Sequence, residues 1–320
     1  MSMVDATIAV CTLNRAEKLH RLLESFCGLR IPDRTSLEIL VVDNASTDQT
    51  PAVLQRFTAK LPLRVCVEHR NGHTCARNRV LKEMRGRILL CTDDDCTVPV
   101  DWLATYLDAW HKFPLASFYA GSIVPQMPEF SEHVRTHLLT ETPSCFAAFT
   151  VGPDDIRVDV RSPIEHIPFG ANFAMQRNAA LSQTFDEKLG RRHGKHVLGG
   201  EEIRFLWQLM TKGASGWLIA NNHVDHWQEA ERVTPRFISD YYHGVGLQWL
   251  PPPSGRWETS RLRKHFLKSK ISFLIACATT RGNPALFVPA LRDASMQLGS
   301  IESSTIDPQQ RMVDGNGKLV

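Results

Sequence analysis

Three short apolar runs dominate the first hundred positions: TIAVCTL (Thr7–Leu13), LEILVVD (Leu37–Asp43) and RILLCTD (Arg87–Asp93). None alternates like a strand with one wet face, so each predicts a strand covered on both sides, the condition of a parallel sheet. After the first run, Leu19, Leu22, Leu23 and Phe26 recur at helical spacing, and Val53, Leu54 and Phe57 do so after the second. LRVCVE adds another strand, and Ala76 to Met84 another amphipathic stretch. Strands separated by helices of this length predict βαβ units: an α/β fold with a mostly parallel central sheet and flanking helices.

The ends of these strands carry the chemistry. Thr12, Leu13 and Asn14 follow the first, Asp43 ends the second, and Asp93, Asp94 and Asp95 follow the last. Ligands of open α/β sheets bind at the carboxyl ends of the strands, so these polar residues predict one crevice. Three consecutive carboxylates repel one another, and no lysine or arginine adjoins them in sequence. They want a cation, and oxygen donors of this type suit Mg²⁺ or Mn²⁺ with positions left for a substrate phosphate. The spaced acids and central glycine of an EF-hand are absent, and the plainer alternative is an exposed acidic turn.

Composition narrows the classes. The 320 residues carry a formal net charge of only +3, which argues against a nucleic-acid partner. The eight cysteines form no C-x-x-C pair. Cys11, Cys66 and Cys91 fall inside expected strands, where thiols behave as small hydrophobes, and a reducing, cytoplasmic setting follows. The start, MSMVDATIAVCTLNR, lacks the basic end and long apolar core of a signal peptide. No run approaches the roughly 18 apolar residues of a membrane span. ISFLIACA, from Ile271, is far shorter, but it follows Arg261, Arg263, Lys264, Lys268 and Lys270. Such a segment is either an interfacial amphipathic helix, giving peripheral contact at the inner membrane face, or a core helix with a solvated basic face.

The second half is less regular. VPQMPEF and PPPSG bracket a region holding FGANFAMQRNAAL (Phe169–Leu181) and a Gly-Gly-Glu-Glu turn at 199–202. That turn precedes a helix with Ile203, Phe205, Leu206, Leu209 and Met210 inward, then a late strand, GWLIA, and NNHVDH.

Taken in order, T-x-N-R (Thr12, Asn14, Arg15), VVDNASTDQT, NGHTCARN, LLCTDDDC, FGANFAM, GGEE before a helix and HVDH resemble the family-2 glycosyltransferases of the GT-A fold. The resemblance covers about 240 residues, and its strength is the order of the motifs rather than any one of them. It implies a GT-A domain over 1–250, with a nucleotide-binding half to about 122 and an acceptor-binding half after it. A helical extension over 251–300 and a loose tail over 301–320 would follow.

The resemblance also implies roles. The D-x-D motif falls on Asp93 and Asp95: Asp95 would bind Mn²⁺ or Mg²⁺, Asp93 would face the ribose or the metal shell, and Asp94 would shape the turn beside the nucleotide-sugar. Asp43 would accept a hydrogen bond from the nucleobase, as a carboxylate can from uracil N3–H. Thr12, Asn14 and Arg15 would line the nucleotide, and Arg77 would meet it or its phosphates through a planar fork of donors. Where the family has a Glu-Asp or Asp-Asp pair, this chain has Glu201-Glu202. Glu202 aligns with the usual base, but the longer side chain leaves Glu201 open as well. His226 would complete the metal site, with His223 and Asp225 as rivals. Arg232 would meet the departing diphosphate, and Gly170, Ala171 and Asn172 would lie beside the donor sugar.

The implied activity is inverting transfer of a single sugar from a nucleotide-sugar, UDP-linked by preference, to a carbohydrate or lipid-linked acceptor. A nucleotidyltransferase of similar fold would want a glycine-rich loop after the first strand, where this chain has TLNRAEK. A non-catalytic nucleotide-sugar binder is the other alternative. A processive synthase would carry Q-x-x-R-W, and Gln228 to Val233 lacks that spacing and its tryptophan.

Overall fold

The apolar runs become neighbouring parallel strands. A computed structural model of the chain describes residues 3–127, 130–190, 199–250, 256–279, 284–303 and 311–312. The first half alternates as β1 (Val4–Thr12), α1 (Ala16–Cys27), β2 (Leu37–Asp43), α2 (Thr50–Phe57), β3 (Leu63–Val67), α3 (His73–Glu83) and β4 (Gly86–Thr92). There follow β5 (Cys96–Thr97), α4 (Trp102–Lys112), β6 (Phe118–Gln126), α5 (Glu132–Glu141), β7 (Ile156–Val158), β8 (Asn172–Gln176) and the single turn α6 (Arg177–Ala180). Last come α7 (Glu201–Thr211), β9 (Gly216–Trp227), α8 (Pro235–Trp249), α9 (Arg256–Thr279) and α10 (Pro284–Glu302).

These elements divide between two compact units. One comprises Met1–Gln126, Phe149–Glu187 and Glu201–Trp227; the other comprises Met127–Ala148, Lys188–Gly200 and Gln228–Val320. The expected loose tail lies, apart from 301–303 and 311–312, outside the described residues, as does PPPSG.

The first unit holds the sheet, ordered β3-β2-β1-β4-β8-β6-β9-β5 with β7 on β9. β1, β2, β3 and β4 are all parallel, as the continuous apolar runs predict. Beyond β4 the sheet is mixed. β8 pairs antiparallel with both β4 and β6, β9 runs parallel to β6, and β5 and β7 pair antiparallel with β9. The parallel expectation therefore holds for the amino-terminal half and loosens where chain segments return without a βαβ crossover helix. Leu19, Leu22, Leu23 and Phe26 of α1 are buried, and so are Val53, Leu54 and Phe57 of α2. Each such side chain contributes about 1.5–3 kcal/mol of transfer free energy.

Register decides what meets at the upper edge. Thr12 is the partner of Asp43 across β1–β2, and Ala9 is the partner of Cys91 across β1–β4. The residues just after β1, β2 and β4 therefore come level. α3 starts at His73, three residues earlier than the amphipathic pattern indicates, behind Gly72 at φ +137°. That conformation is open to glycine and strained for other residues.

The second unit is helical. Its core gathers Met127, Leu138, Cys145, Phe146, Ile238, Tyr242, Val288 and Leu291. Thr234 caps α8, its hydroxyl accepting from the Phe237 amide at 3.2 Å. α8 and α10 cross at glycines: a Cβ on Gly246 would run into the Met296 carbonyl, and one on Gly299 into the His243 carbonyl.

Candidate functional site

The three aspartates do not lack a basic neighbour. Arg15, three residues beyond β1, places Nη1 2.7 Å from Asp94 Oδ1 and 3.0 Å from Asp95 Oδ2. Thr12 Oγ1 donates to the other Asp94 oxygen at 2.8 Å. The sequence shows no such pairing because it depends on the β1–β4 register, across |i−j| of 79. Asp94 is thus more than a turn residue: its carboxylate is buried and doubly engaged. Burial pushes the Asp94 carboxyl up, Arg15 pulls it down, and the Asp95 charge again raises it. Burial also works against the Arg15 charge, but Asp94 and Asp95 outweigh it and hold the guanidinium protonated.

Asp95 has a second neighbour. The two-residue strand β5 pairs with β9, setting Cys96 opposite His226, and the Trp227 amide donates to the Asp95 carbonyl at 2.9 Å. His226 Nε2 thereby lies 3.2 Å from Asp95 Oδ1, both side chains buried. The strand's period of two turns His223 outward, and Asp225 accepts from Gln126 Nε2 at 2.7 Å, so neither rival faces the acids. Among the described residues no group of three or more His, Cys, Asp or Glu side chains forms a self-sufficient metal cage. The donor set still fits a hard divalent ion, which takes one or two carboxylates and completes its shell with substrate phosphates and water. One carboxylate and one imidazole converge here, and a cationic guanidinium already sits on the second Asp95 oxygen.

A second cluster centres on Arg77, on the first turns of α3. Its Nε donates to His73 Nε2 at 2.8 Å, its Nη2 lies 3.7 Å from Asp93 Oδ1, and its Nη1 lies 3.7 Å from Glu202 Oε2. The guanidinium also stands over the Phe185 ring at 5.5 Å. Burial opposes its charge, while Glu202, Glu201 and Asp93 outweigh burial and hold it protonated. Gly170 lets the Arg77 guanidinium lie close against the backbone, and a Cβ there would displace it. Its amide donates to Glu202 Oε1 at 3.0 Å. Arg77 Nη1 and Glu202 Oε2 are both buried without a hydrogen-bond partner, although they face each other. Buried polar atoms rarely stay unsatisfied, so such a pair can take a polar group from water or a ligand. Arg77, Asp93, Gly170, His73, Cys11 and Phe185 line a single pocket. Glu201, beside Glu202 at the start of α7, lies 3.9 Å from His73 Nε2.

Other expected residues are tied into the surrounding loops and strands. Asp43, buried at the end of β2, accepts from the Ser46 amide at 2.9 Å. Asn14, at φ 52°, accepts on Oδ1 from the Thr47 amide at 2.7 Å, tying the loop after β1 to the loop after β2. Ala171 is buried beside Gly170. Asn172, expected beside the donor sugar, is engaged by four side-chain and backbone partners. It is fully buried; its Oδ1 accepts from Trp102 Nε1 and Tyr106 OH, both at 2.8 Å, and its Nδ2 donates to the Ser122 carbonyl and Asn222 Oδ1. All four hydrogen-bonding positions of the amide are used, so it fastens β8 to α4, β6 and β9. Arg232 belongs to the second unit, where it donates to Gln228 Oε1 at 3.3 Å and stands over Phe237.

Two contributors carry no signature of their own. His73 orients Arg77, and its spacing of four from Arg77 on a helix is the clue that could have found it. Asn44 holds the 68–72 turn through the Glu68 and Arg70 carbonyls and the Gly72 amide; being next to Asp43 is its only clue.

A family model described as Glycosyl transferase family 2 matches residues 7–182. The succinoglycan biosynthesis protein ExoM of Rhizobium meliloti is 32% identical over 103 residues, 32% of this chain and 33% of that protein. The poly(ribitol-phosphate) beta-N-acetylglucosaminyltransferase TarS of Staphylococcus aureus is 32% identical over 115 residues, 34% of this chain and 20% of that protein. The alignments thus span a third or less of these curated relatives. In three dimensions, TarS 1–349 in complex with UDP-GlcNAc superposes with a TM-score of 0.56 at 15% identity, covering 97% of this chain and 95% of that one. The mannosyltransferase PcManGT from Pyrobaculum calidifontis, in complex with GDP-Man and Mn²⁺, gives 0.57 at 18%, covering 95% and 87%. At such identities the likeness speaks for the fold, which is GT-A.

Proposed function

The chain belongs to glycosyltransferase family 2, and from that membership we propose that it moves one sugar from a nucleotide-sugar to an acceptor hydroxyl with inversion at the anomeric carbon. The observation that carries this reading is the facing pair Arg77 Nη1 and Glu202 Oε2, buried, unsatisfied and 3.7 Å apart, with Arg77 lining a pocket together with Asp93. A cationic fork there suits a diphosphate, and a carboxylate beside it suits removal of a hydroxyl proton. Glu202 is the preferred base because its Oε1 is fixed by the Gly170 amide while Oε2 stays available; Glu201 is the alternative.

Asp43 reads the nucleobase, and the loops held by Thr12 and Asn14 shape its surroundings. Asp93 meets the ribose, and Arg77 binds and orients the diphosphate. Gly170 and Ala171 admit the donor sugar by close backbone approach. Asp95 and His226 would hold Mn²⁺ or Mg²⁺, which would supply Lewis-acid stabilisation of the leaving diphosphate. Glu202 takes the acceptor proton as the oxygen attacks the face opposite the nucleotide, so no covalent enzyme intermediate forms. UDP is the preferred nucleotide, since a carboxylate at Asp43 suits uracil N3–H; the relatives TarS and PcManGT were solved with UDP-GlcNAc and GDP-Man respectively. The acceptor is a carbohydrate or lipid-linked saccharide in glycoconjugate synthesis on the cytoplasmic side.

Calorimetric titration with UDP-, GDP- and dTDP-sugars, with and without Mn²⁺, tests this. One nucleotide class should bind with metal dependence, Asp95→Ala should abolish that dependence, and Glu202→Gln should bind donor normally while losing transfer. Binding indifferent to metal and to Asp95, or transfer intact in Glu202→Gln, would overturn the assignment.

A further inference from the structure

The exposed face of α9 carries the wrong residues for a helix that meets only water. Over Arg261–Ile271 the helix turns Leu262, Phe266 and Ser269 partly inward, one helical face. The opposite face should then be polar at its centre. Its centre is instead Leu267 and Ile271, one turn apart and 56% and 48% exposed. Lys264 and Lys268 flank this aliphatic pair on one side, Arg263 and Lys270 on the other, and all four are exposed. The Lys270 stem lies back along the helix, its Nζ 5.8 Å from the Phe266 ring. No acidic residue occurs between Glu258 and Asp293, so nothing in the segment balances these charges. Among the described residues no helix is long and apolar enough to cross a membrane.

An aliphatic ridge bordered on both sides by cations matches the boundary between lipid headgroups and acyl chains. The aliphatic pair enters the apolar layer while the long basic side chains reach back to the phosphates. An acidic protein surface would match the cations but give the ridge no reason to sit at their centre, and a second copy of the same face would bring like charges together. We infer that α9 docks the protein on an anionic membrane surface, lying along it rather than spanning it. The inference goes beyond the proposed transfer reaction and does not depend on it.

The test is co-sedimentation of the full chain with vesicles of phosphatidylcholine, with and without phosphatidylglycerol, at low and physiological salt. The protein should pellet with the anionic vesicles and stay in solution with the neutral ones. Leu267→Ser with Ile271→Ser should weaken partition roughly tenfold through lost apolar burial. Lys264→Glu with Lys268→Glu should weaken it by more than about tenfold, at roughly 1 kcal/mol for each basic residue near the surface. Hydrogen exchange of the unaltered chain supplies a readout free of any folding defect in the variants: amides of 261–271 should slow when anionic vesicles are added. Protein wholly in the supernatant at low salt, exchange unchanged over that segment, or variants that bind as well as the parent would each overturn the inference. So would concentration-dependent dimerisation that the serine pair abolishes in the absence of vesicle binding, which would assign the face to a second copy.

Discussion

At the scale of the residue, the carboxylate cluster behaves as a set of opposed charges held in register. Arg15→Ala leaves Asp94 and Asp95 facing each other with their shared cation gone. Chemical denaturation without added metal should show a loss of about 1–3 kcal/mol, as for a partly buried ion pair stripped of one partner. Mn²⁺ should raise the melting temperature of that variant more than that of the parent. Asn172→Ala orphans Trp102 Nε1 and Tyr106 OH. It should cost about 2–4 kcal/mol in the same assay. Donor affinity per folded molecule, read by calorimetry, should change little, because Asn172 is sealed from solvent. Sequence made the acids, Arg77 and the Glu pair legible, since each sits in a local motif at a strand or helix end. It hid the Arg15 pairing and the Asn172 network, which join residues 79 and 70 positions apart. Local spacing carries no signal for such contacts; strand register creates them.

At the scale of the element, tolerance is set by how closely backbones approach. Gly299→Ala or Gly246→Ala should each destabilise the protein by about 1–3 kcal/mol, measured by urea unfolding, because the new methyl meets a backbone carbonyl that has no rotamer to escape into. A changed midpoint with no change in slope would place the effect in packing rather than in the unfolded chain. The elements most visible in sequence were those with strong periodicity, such as α1 with its four buried apolar positions, and the continuous strands β1, β2 and β4. β5 was not visible. Two residues have no period, and only pairing with β9 makes them a strand. The same element brings His226 to Asp95, so the least legible strand positions one of the most consequential contacts.

For the whole molecule, a half-buried thiol of β4 gives a pH signature. Burial pushes the Cys91 thiol up from its ordinary 9.0 to about 12, with Arg77 pulling the other way. In the unfolded chain the thiol ionises near its ordinary value, so from there up to about pH 12 the folded state holds the extra proton and stability falls as pH rises. Denaturation midpoints measured across that window should fall less steeply for Cys91→Ala than for the parent. The cation that Arg15 lends to Asp94 and Asp95 has a different reach. It is a tethered counter-ion, synthesised with the acids it serves. A nascent chain can therefore pair these acids before any metal arrives, and chelators should leave the yield of folded protein untouched. Scarcity of metal would then not decide how much of the protein survives.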